Sequence, residues 1–500
     1  MRIGIRAAFA GYALLCLGVV IGCRSGASQH VHAQRQTQSL ASPAPPSVDA
    51  ALGLPAVIAV VDEPVAAPIE LPPDVQVRPV AHMESAAEEE VATPTGEHQT
   101  GPVLEVDSLV SEVLAVNPDI RAASAAWRAA AHRYPQEVSL DDPMFGYMLG
   151  PGSWGSDEVN DAYTLEASQK LPWPGKRQLR GNIARAEANA AYFDVGEQRL
   201  RIAEATRLAY YEYYLAHRQL AVLEESTTLL QDFRQIALRR YESATVEQQD
   251  VLLADVELAD LQRRRLELTR AEQMARARIN TLLLVAADAP LPPPPAELST
   301  GGHMPSPDEL RALALSQRPE LAAQAARIRA EQYTVALAYK EFYPDIEVVA
   351  RYDAFWQEEP LRPMVGMNLN LPIYKQKRWA AVGEARARIA KEQAELDAKV
   401  NEIMFEVEQS YRRVEESRST LAVYQSSILP TVRHSVDAAR ASYLAGRLDF
   451  LRLVESQRQS LEMQDKFYET VAEYWRRVTE LSRLTGESPN RGQYPAPVDN

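Results

Sequence analysis

Residues 171–181 read LPWPGKRQLRG, and residues 371–381 read LPIYKQKRWAA. Each stretch follows a short segment of alternating polarity and opens a very long polar-apolar one. Proline has no backbone N–H and a fixed φ, so it ends strand pairing and suits the first turn of a helix. Leu171-Pro172 and Leu371-Pro372 therefore read as the ends of strands. Lys176-Arg177 and Lys377-Arg378 then open helices. The copies differ between Trp-Pro-Gly and Ile-Tyr-Lys-Gln, which predicts two differently bent junctions.

Working outward, the chain repeats itself. Asn117-Pro118-Asp119-Ile120 returns as Arg318-Pro319-Glu320-Leu321, each opening an Ala- and Arg-rich helix. Breaks follow at Tyr134-Pro135 and Tyr343-Pro344. Further on, the long stretches are interrupted at Tyr241-Glu-Ser-Ala-Thr-Val-Glu and at Tyr443-Leu-Ala-Gly-Arg-Leu-Asp. A spacing of about two hundred residues held over successive landmarks marks a tandem duplication.

The segments before the junctions alternate with period two. In 363–371, Val365, Met367, Leu369 and Leu371 share one face, opposite Gly366, Asn368 and Asn370. In 345–353, Ile346, Val348, Ala350 and Tyr352 oppose Glu347, Val349, Arg351 and Asp353. The first pair of strands, 143–149 and 162–171, is weaker, with a glycine-rich loop between. This is the pattern of a transmembrane β-barrel, apolar outward and polar inward. A soluble antiparallel sheet shares the alternation and stays beside it. Met364 and Met367 lie an odd number apart, so they cannot share a face without a bulge. For these two, and for Met144 and Met148, packing against lipid is expected rather than copper binding.

The helices after the junctions are extreme in length. One from 177 to 241 spans roughly 100 Å, which points to a coiled-coil assembly of antiparallel hairpins. Pro430 falls inside the second and is expected to bend it near the tip. Four strands cannot close a barrel, and an open sheet edge in lipid leaves backbone groups unsatisfied. Strands that cross a membrane here must share one barrel with other copies of the chain. The basic pairs then sit at the membrane surface, within reach of lipid phosphates.

Composition narrows the function. With 53 Lys and Arg against 68 Asp and Glu, the net charge is −15, which excludes a nucleic-acid footprint of unopposed basic residues. Two cysteines exclude a disulfide framework and a CxxC zinc site. HExxH, GxSxG, Walker A and dinucleotide motifs are absent in any fitting context, so nothing marks an enzyme and no cofactor or metal site is expected. Arg2 and Arg6 precede the apolar run AAFAGYALLCLGVVIG and Cys23. This is the layout of a secretory leader over 1–22, and Val20-Ile21-Gly22-Cys23 resembles a bacterial lipobox that lipidates Cys23. From 23 to 104 the chain is rich in Ala, Pro, Ser and Glu and reads as a disordered tether, with His30-Val31-His32 a solvated part of it. The remaining plan is a first repeat at 105–288, a Pro-rich linker at 289–306, a second repeat at 307–488 and a flexible tail at 489–500. Helical hairpins are expected at 176–284 and 376–485.

The ordered motifs resemble the TolC family of outer-membrane efflux channels. The likeness covers about 105–488 and rests on the Asn-Pro-Asp and Arg-Pro-Glu starts, the Leu-Pro…Lys-Arg junctions, Tyr443-x-x-Gly446 at one tip and Gln249-Asp250-Val251 at the other. It implies a mainly α fold with a membrane β-barrel portion: a homotrimer whose twelve-stranded barrel stands on a long periplasmic α-helical barrel. The implied function is a passive outer-membrane exit duct, with an adaptor protein linking it to an inner-membrane pump. Leu140-Asp141-Asp142-Pro143-Met144 beside Tyr134-Pro135 looks like the heavy-metal branch, which pairs with resistance-nodulation-division pumps. Drug or general solute efflux, or a type I secretion channel, is the alternative. A non-channel periplasmic coiled-coil scaffold lipoprotein is the alternative of another class. The resemblance further implies a periplasmic gate at Asp250, Tyr443, Arg447, Arg452 and Glu455. It implies adaptor docking at Ala244, Gly446, Leu448 and Phe450, and a barrel-to-helix collar at the two junctions, in contact with outer-membrane lipid.

Overall fold

The computed structural model describes residues 103–154, 162–300, 304–356 and 358–486. The leader, Cys23, the His30-Val31-His32 segment, residues 23–102 of the tether and the tail lie outside the described residues. The end of the expected tether is docked rather than free. Leu104 is fully buried, its N–H bonds the Pro293 carbonyl, and its own carbonyl accepts the Tyr210 hydroxyl.

The first repeat runs α1 (Val106–Val116), α2 (Pro118–Ala131), α3 (Arg133–Val138), β1 (Met144–Gly150), β2 (Ala162–Leu171), α4 (Lys176–Glu242) and α5 (Gln248–Leu283). The second runs α6 (Pro307–Gln317), α7 (Pro319–Lys340), β3 (Ile346–Asp353), β4 (Pro363–Leu369), α8 (Lys375–Val423), α9 (Leu429–Leu444) and α10 (Phe450–Leu484). Helix starts follow local chemistry. Asn117 accepts the Asp119 N–H at 3.0 Å ahead of Pro118, and Ser306 and Glu309 form a reciprocal capping box ahead of α6.

The four strands form one antiparallel sheet in the order β1-β2-β3-β4. Its register separates two faces. Phe145, Tyr147, Leu165, Tyr352, Val348 and Val365 lie on one; Thr164, Glu166, Ser168, Arg351, Glu347 and Asn368 lie on the other. The polar face is internally bonded: Ser168 donates to Glu347 at 2.8 Å, and Arg351 pairs with Glu166. The apolar face has nothing over it, with Phe145 72% and Val365 84% exposed. No helix among the described residues is long and apolar enough to cross a membrane.

Two expectations for the strands change. The last strand was expected to reach 371, but β4 ends at Leu369, whereas β2 continues to Leu171 because Ile346 pairs with it. β4 has a partner on one side only, so nothing extends its ladder. Met144 and Met148, opposite Ser168 and Thr164, and Met364, opposite Arg351, all lie on the polar face. Of the four, Met367 alone shares the apolar face, because the period-two pleat through Gly146 and Gly366 assigns the others to the polar one.

Helix α4, 67 residues long, spans about 100 Å. It packs against α5, α7 and α10, while α10 lies against α4 on one side and α8 and α9 on the other. The helical layer therefore runs α5, α4, α10, then α8 and α9. The tip half is held by Leu223, Leu230, Phe233, Leu261, Val436 and Leu453. Further up, Tyr210, Tyr211 and Tyr213 pack with Leu109, Ile120 and Ile279. Tyr213 donates to the carbonyl of Pro292 at 3.3 Å, so the Pro-rich linker is strapped to α4. Ahead of Pro430, where a bend is expected, the helix changes its winding. Residues Tyr424–Ile428 make a π-helical turn, and α9 begins just before Pro430. Proline lacks the N–H for the α ladder and crowds the carbonyl four residues back, and the wider turn removes that conflict.

Candidate functional site

The tips of the two hairpins meet. Ala244 (φ 56°) and Gly446 (φ 70°) occupy matching left-handed turn positions, where each N–H bonds a tyrosine carbonyl, of Tyr241 and Tyr443 respectively. Glycine adopts this conformation without steric cost and alanine does not. Tyr443 is 1% exposed and packs on buried Phe450, with ring centroids 5.3 Å apart. Its hydroxyl donates to Asp250 Oδ2 at 3.2 Å. Burial and then the Asp250 carboxylate push the Tyr443 hydroxyl up to about 12, which keeps it a neutral donor at neutral pH. Burial likewise raises Asp250, against the hydrogen bond from Tyr443.

The basic partner of this pair comes from an unexpected place. Arg240, near the end of α4, donates to the Tyr443 carbonyl, and its guanidinium lies over the Tyr443 ring at 4.8 Å. One cation thus holds both ends of the tyrosine. Within the protomer the structure brings together Asp250 and Tyr443. Arg447, Arg452 and Glu455 have no ion pair among the described residues. Gly446 and Leu448 lie in the loop beside them, and Phe450 is buried beneath it.

Above the tip, a ladder of polar contacts joins the hairpins. Arg458 grips Glu257 through both carboxylate oxygens. Gln457 donates to Ser226 at 3.3 Å, Arg264 pairs with Asp465, and Arg218 donates to the Tyr468 hydroxyl at 2.8 Å. None of these residues stood out in the sequence, where they read as charges on a wet helix face. The legible signal was spacing: Leu453, Leu461 and Asp465 fall at seam intervals, so Asp465 occupies a core position.

Asp465 is buried, and one of its oxygens has no partner. Burial pushes its carboxyl up to about 6, against the attraction of Arg264, with Glu469 adding to the rise. The folded chain holds this proton more tightly than the unfolded one, whose value is 3.8. The stability it contributes is full below about pH 4 and lost as pH rises through about 6. Asp465→Asn is therefore expected to raise the melting temperature at pH 7.5, by a stabilisation on the order of 2 kcal/mol, and to flatten the loss between pH 5 and 7. Melts in detergent at both pH values test this. A variant that melts below the parent at pH 7.5 shows that the Arg264 attraction outweighs burial.

The junctions differ in the way their basic residues are met. Gly175 takes φ 92° and turns the chain into α4. Lys176, expected to reach lipid, is instead 1% exposed and points inward. Its Nζ donates to Asp345 Oδ1 at 2.9 Å, the Tyr343 carbonyl at 3.2 Å and Glu341 at 3.4 Å. The physical reason is that Asp345 lies directly across the β2–β3 pair and also accepts the Trp173 N–H at 3.0 Å. Trp173 stacks on Tyr343 with centroids 5.3 Å apart, and Arg177 donates to the Val138 carbonyl at 3.1 Å. In the second junction Leu371 and Lys377 are exposed and Pro372 and Arg378 half-buried. Among the described residues no group of three or more His, Cys, Asp or Glu is placed to hold a metal ion.

Comparison with known proteins agrees with this architecture. The model of the outer membrane efflux protein family matches residues 109–283 and again 310–487. A relative is the cobalt-zinc-cadmium resistance protein CzcC of Cupriavidus metallidurans, 22% identical over 335 residues, covering 66% of this chain and 79% of that protein. Among solved structures, the outer-membrane channel OprN aligns with a TM-score of 0.65 at 20% identity, over 77% of this chain and 90% of that one. The outer membrane protein VceC of Vibrio cholerae aligns with a TM-score of 0.65 at 17% identity, over 76% and 96%. With two matched copies of the family pattern on a TolC-like fold, this chain belongs to the outer membrane efflux protein family.

Proposed function

We propose that this protein is the outer-membrane exit duct of a tripartite efflux system: a passive homotrimeric channel, lipid-anchored at Cys23, that exports heavy-metal cations. A periplasmic adaptor docks at the tips and links the channel to an inner-membrane pump of the resistance-nodulation-division type. One observation carries the channel reading. The sheet has an uncovered apolar face and two unlike open edges, β1 and β4, and the helical layer ends on two unlike edges, α5 and α8. Head-to-tail repetition joins β4 to the next β1 and α8 to the next α5, and such a heterologous contact closes into a ring. Closure satisfies the edge strands in lipid, and three copies give twelve strands. It also covers the exposed Leu252, Val256, Leu266 and Met274 on α5 and Phe405 and Val423 on α8. The polar sheet face, with Glu166, Arg351 and Glu347, then lines the pore.

The metal cargo is supported by the likeness to CzcC. Deleting the gene in its host is expected to lower the inhibitory concentrations of cobalt, zinc and cadmium several-fold, with recovery on complementation. Unchanged metal tolerance beside increased sensitivity to drugs replaces the cargo and leaves the channel. Recovery of the full chain only from soluble fractions overturns the channel itself.

A further inference from the structure

The tandem duplication leaves half of one contact at each edge of the protomer. We infer that Lys377 of one copy pairs with Asp142 of the next, beside a contact between Ile373 and Leu140, at the seam where the sheets join. This rests on the ring reading proposed above.

The inference starts from the complete contact inside the protomer. Lys176 follows β2, Asp345 precedes β3, and the two strands are neighbours. The sheet registers identify the copies of these residues. Leu171-Pro172 matches Leu371-Pro372, so Ser168 matches Asn368. Ser168 pairs with Met144 and Asn368 pairs with Glu347, so Met144 matches Glu347. Asp345 stands two residues before Glu347, and Asp142 stands two residues before Met144. Helix burial supplies the other half. Gly181 and Ala184 are buried in α4, and Val382 and Ala385 are their buried counterparts in α8. In that register Lys176 matches Lys377.

The copies sit where a neighbour would find them. Asp142 precedes the edge strand β1, and Lys377 follows the edge strand β4. Both are exposed, and neither has an ion-pair partner among the described residues. The aromatic part of the contact repeats in aliphatic form. Trp173 stacks on Tyr343, and the sheet registers make Ile373 and Leu140 their counterparts, in place of the Tyr134 that the sequence break matches to Tyr343. These are 70% and 42% exposed in the single chain, large apolar groups with nothing over them. Antiparallel pairing of β4 with the next β1 repeats the geometry of β2 with β3. It brings Lys377 to Asp142 and Ile373 to Leu140 in one step. A lipid headgroup would meet the lysine but leaves Asp142 and Leu140 unexplained; a second copy accounts for all four.

The test uses the full chain in outer-membrane vesicles. Asp142→Cys with Lys377→Cys is treated with a short bifunctional methanethiosulfonate and run on denaturing gels. Covalent dimer and trimer bands are expected from the double variant and neither single one. In parallel, Asp142→Lys or Lys377→Glu is expected to lose the heat-resistant oligomer, and Asp142→Lys with Lys377→Glu to regain it. Sedimentation of the parent in detergent separates the two levels. A monomeric parent overturns the ring. A trimeric parent without cross-linking of the double variant overturns this seam and leaves the ring. Cross-linking without rescue by the charge exchange overturns the ion pair.

Discussion

Lys176→Met is expected to destabilise the protein by roughly 3 kcal/mol. The lysine is 1% exposed and holds Asp345, Glu341 and the Tyr343 carbonyl. Its removal leaves two carboxylates and a carbonyl facing one another beside the Trp173–Tyr343 stack, with no cation to offset their desolvation. The carboxylates are a quarter to a third exposed, so water screens part of the loss and the effect stays below that of a wholly buried pair. Asp345→Asn in the same chain is expected to recover part of the stability, because only the Glu341 carboxylate, a third exposed, is then left without its cation. Thermal loss of helical circular dichroism in detergent measures both. A Lys176→Met variant that melts with the parent sinks the assignment of this residue as the anchor between β2, α4 and the segment before β3.

Arg240→Ala combined with Asp250→Ala is expected to raise single-channel conductance in planar bilayers several-fold. Each protomer loses a cation–π contact of about 0.5–1 kcal/mol and charged hydrogen bonds of about 1.5–3 kcal/mol each. In the proposed trimer, three copies lose them together. Arg447→Ala is the control, since Arg447 has no ion pair within the protomer among the described residues. Unchanged conductance in the double variant rules out the Arg240–Tyr443–Asp250 contact as the latch. A rise with Arg447→Ala alone moves the latch to contacts between protomers.

Much of this was legible in the residues. Alternation in 363–371 assigned Val365 and Asn368 to opposite faces because a strand's period is two. The Asn117-Pro118 and Arg318-Pro319 starts named helix N-termini because proline suits the first turn. The resemblance, rather than the residues alone, named Asp250 and Tyr443, and the structure shows a hydrogen bond between them. Arg240, which meets Tyr443 within the chain, was not legible, because it reaches the tyrosine from another helix. Asp465 and Glu257 were missed for a related reason. In a helix with many charges, periodicity marks the seam but does not say which charged residue the seam buries.

The sequence by itself determined the duplication, the strand–junction–hairpin order and the two-faced strands, and it made more than one copy a requirement for any strands that cross a membrane. These follow from local rules: the period of side chains, the missing N–H of proline, and the edge groups a four-stranded sheet leaves unpaired. Only the tertiary structure decided which of two equal-looking basic pairs is turned inward. Lys176 and Lys377 stand in the same local context, but Asp345 lies across a strand pair from the first and belongs to the same chain. The second has no such partner within its own protomer among the described residues, because its strand is an edge. Burial of a charge depends on what the fold brings across from it, and that information is not local.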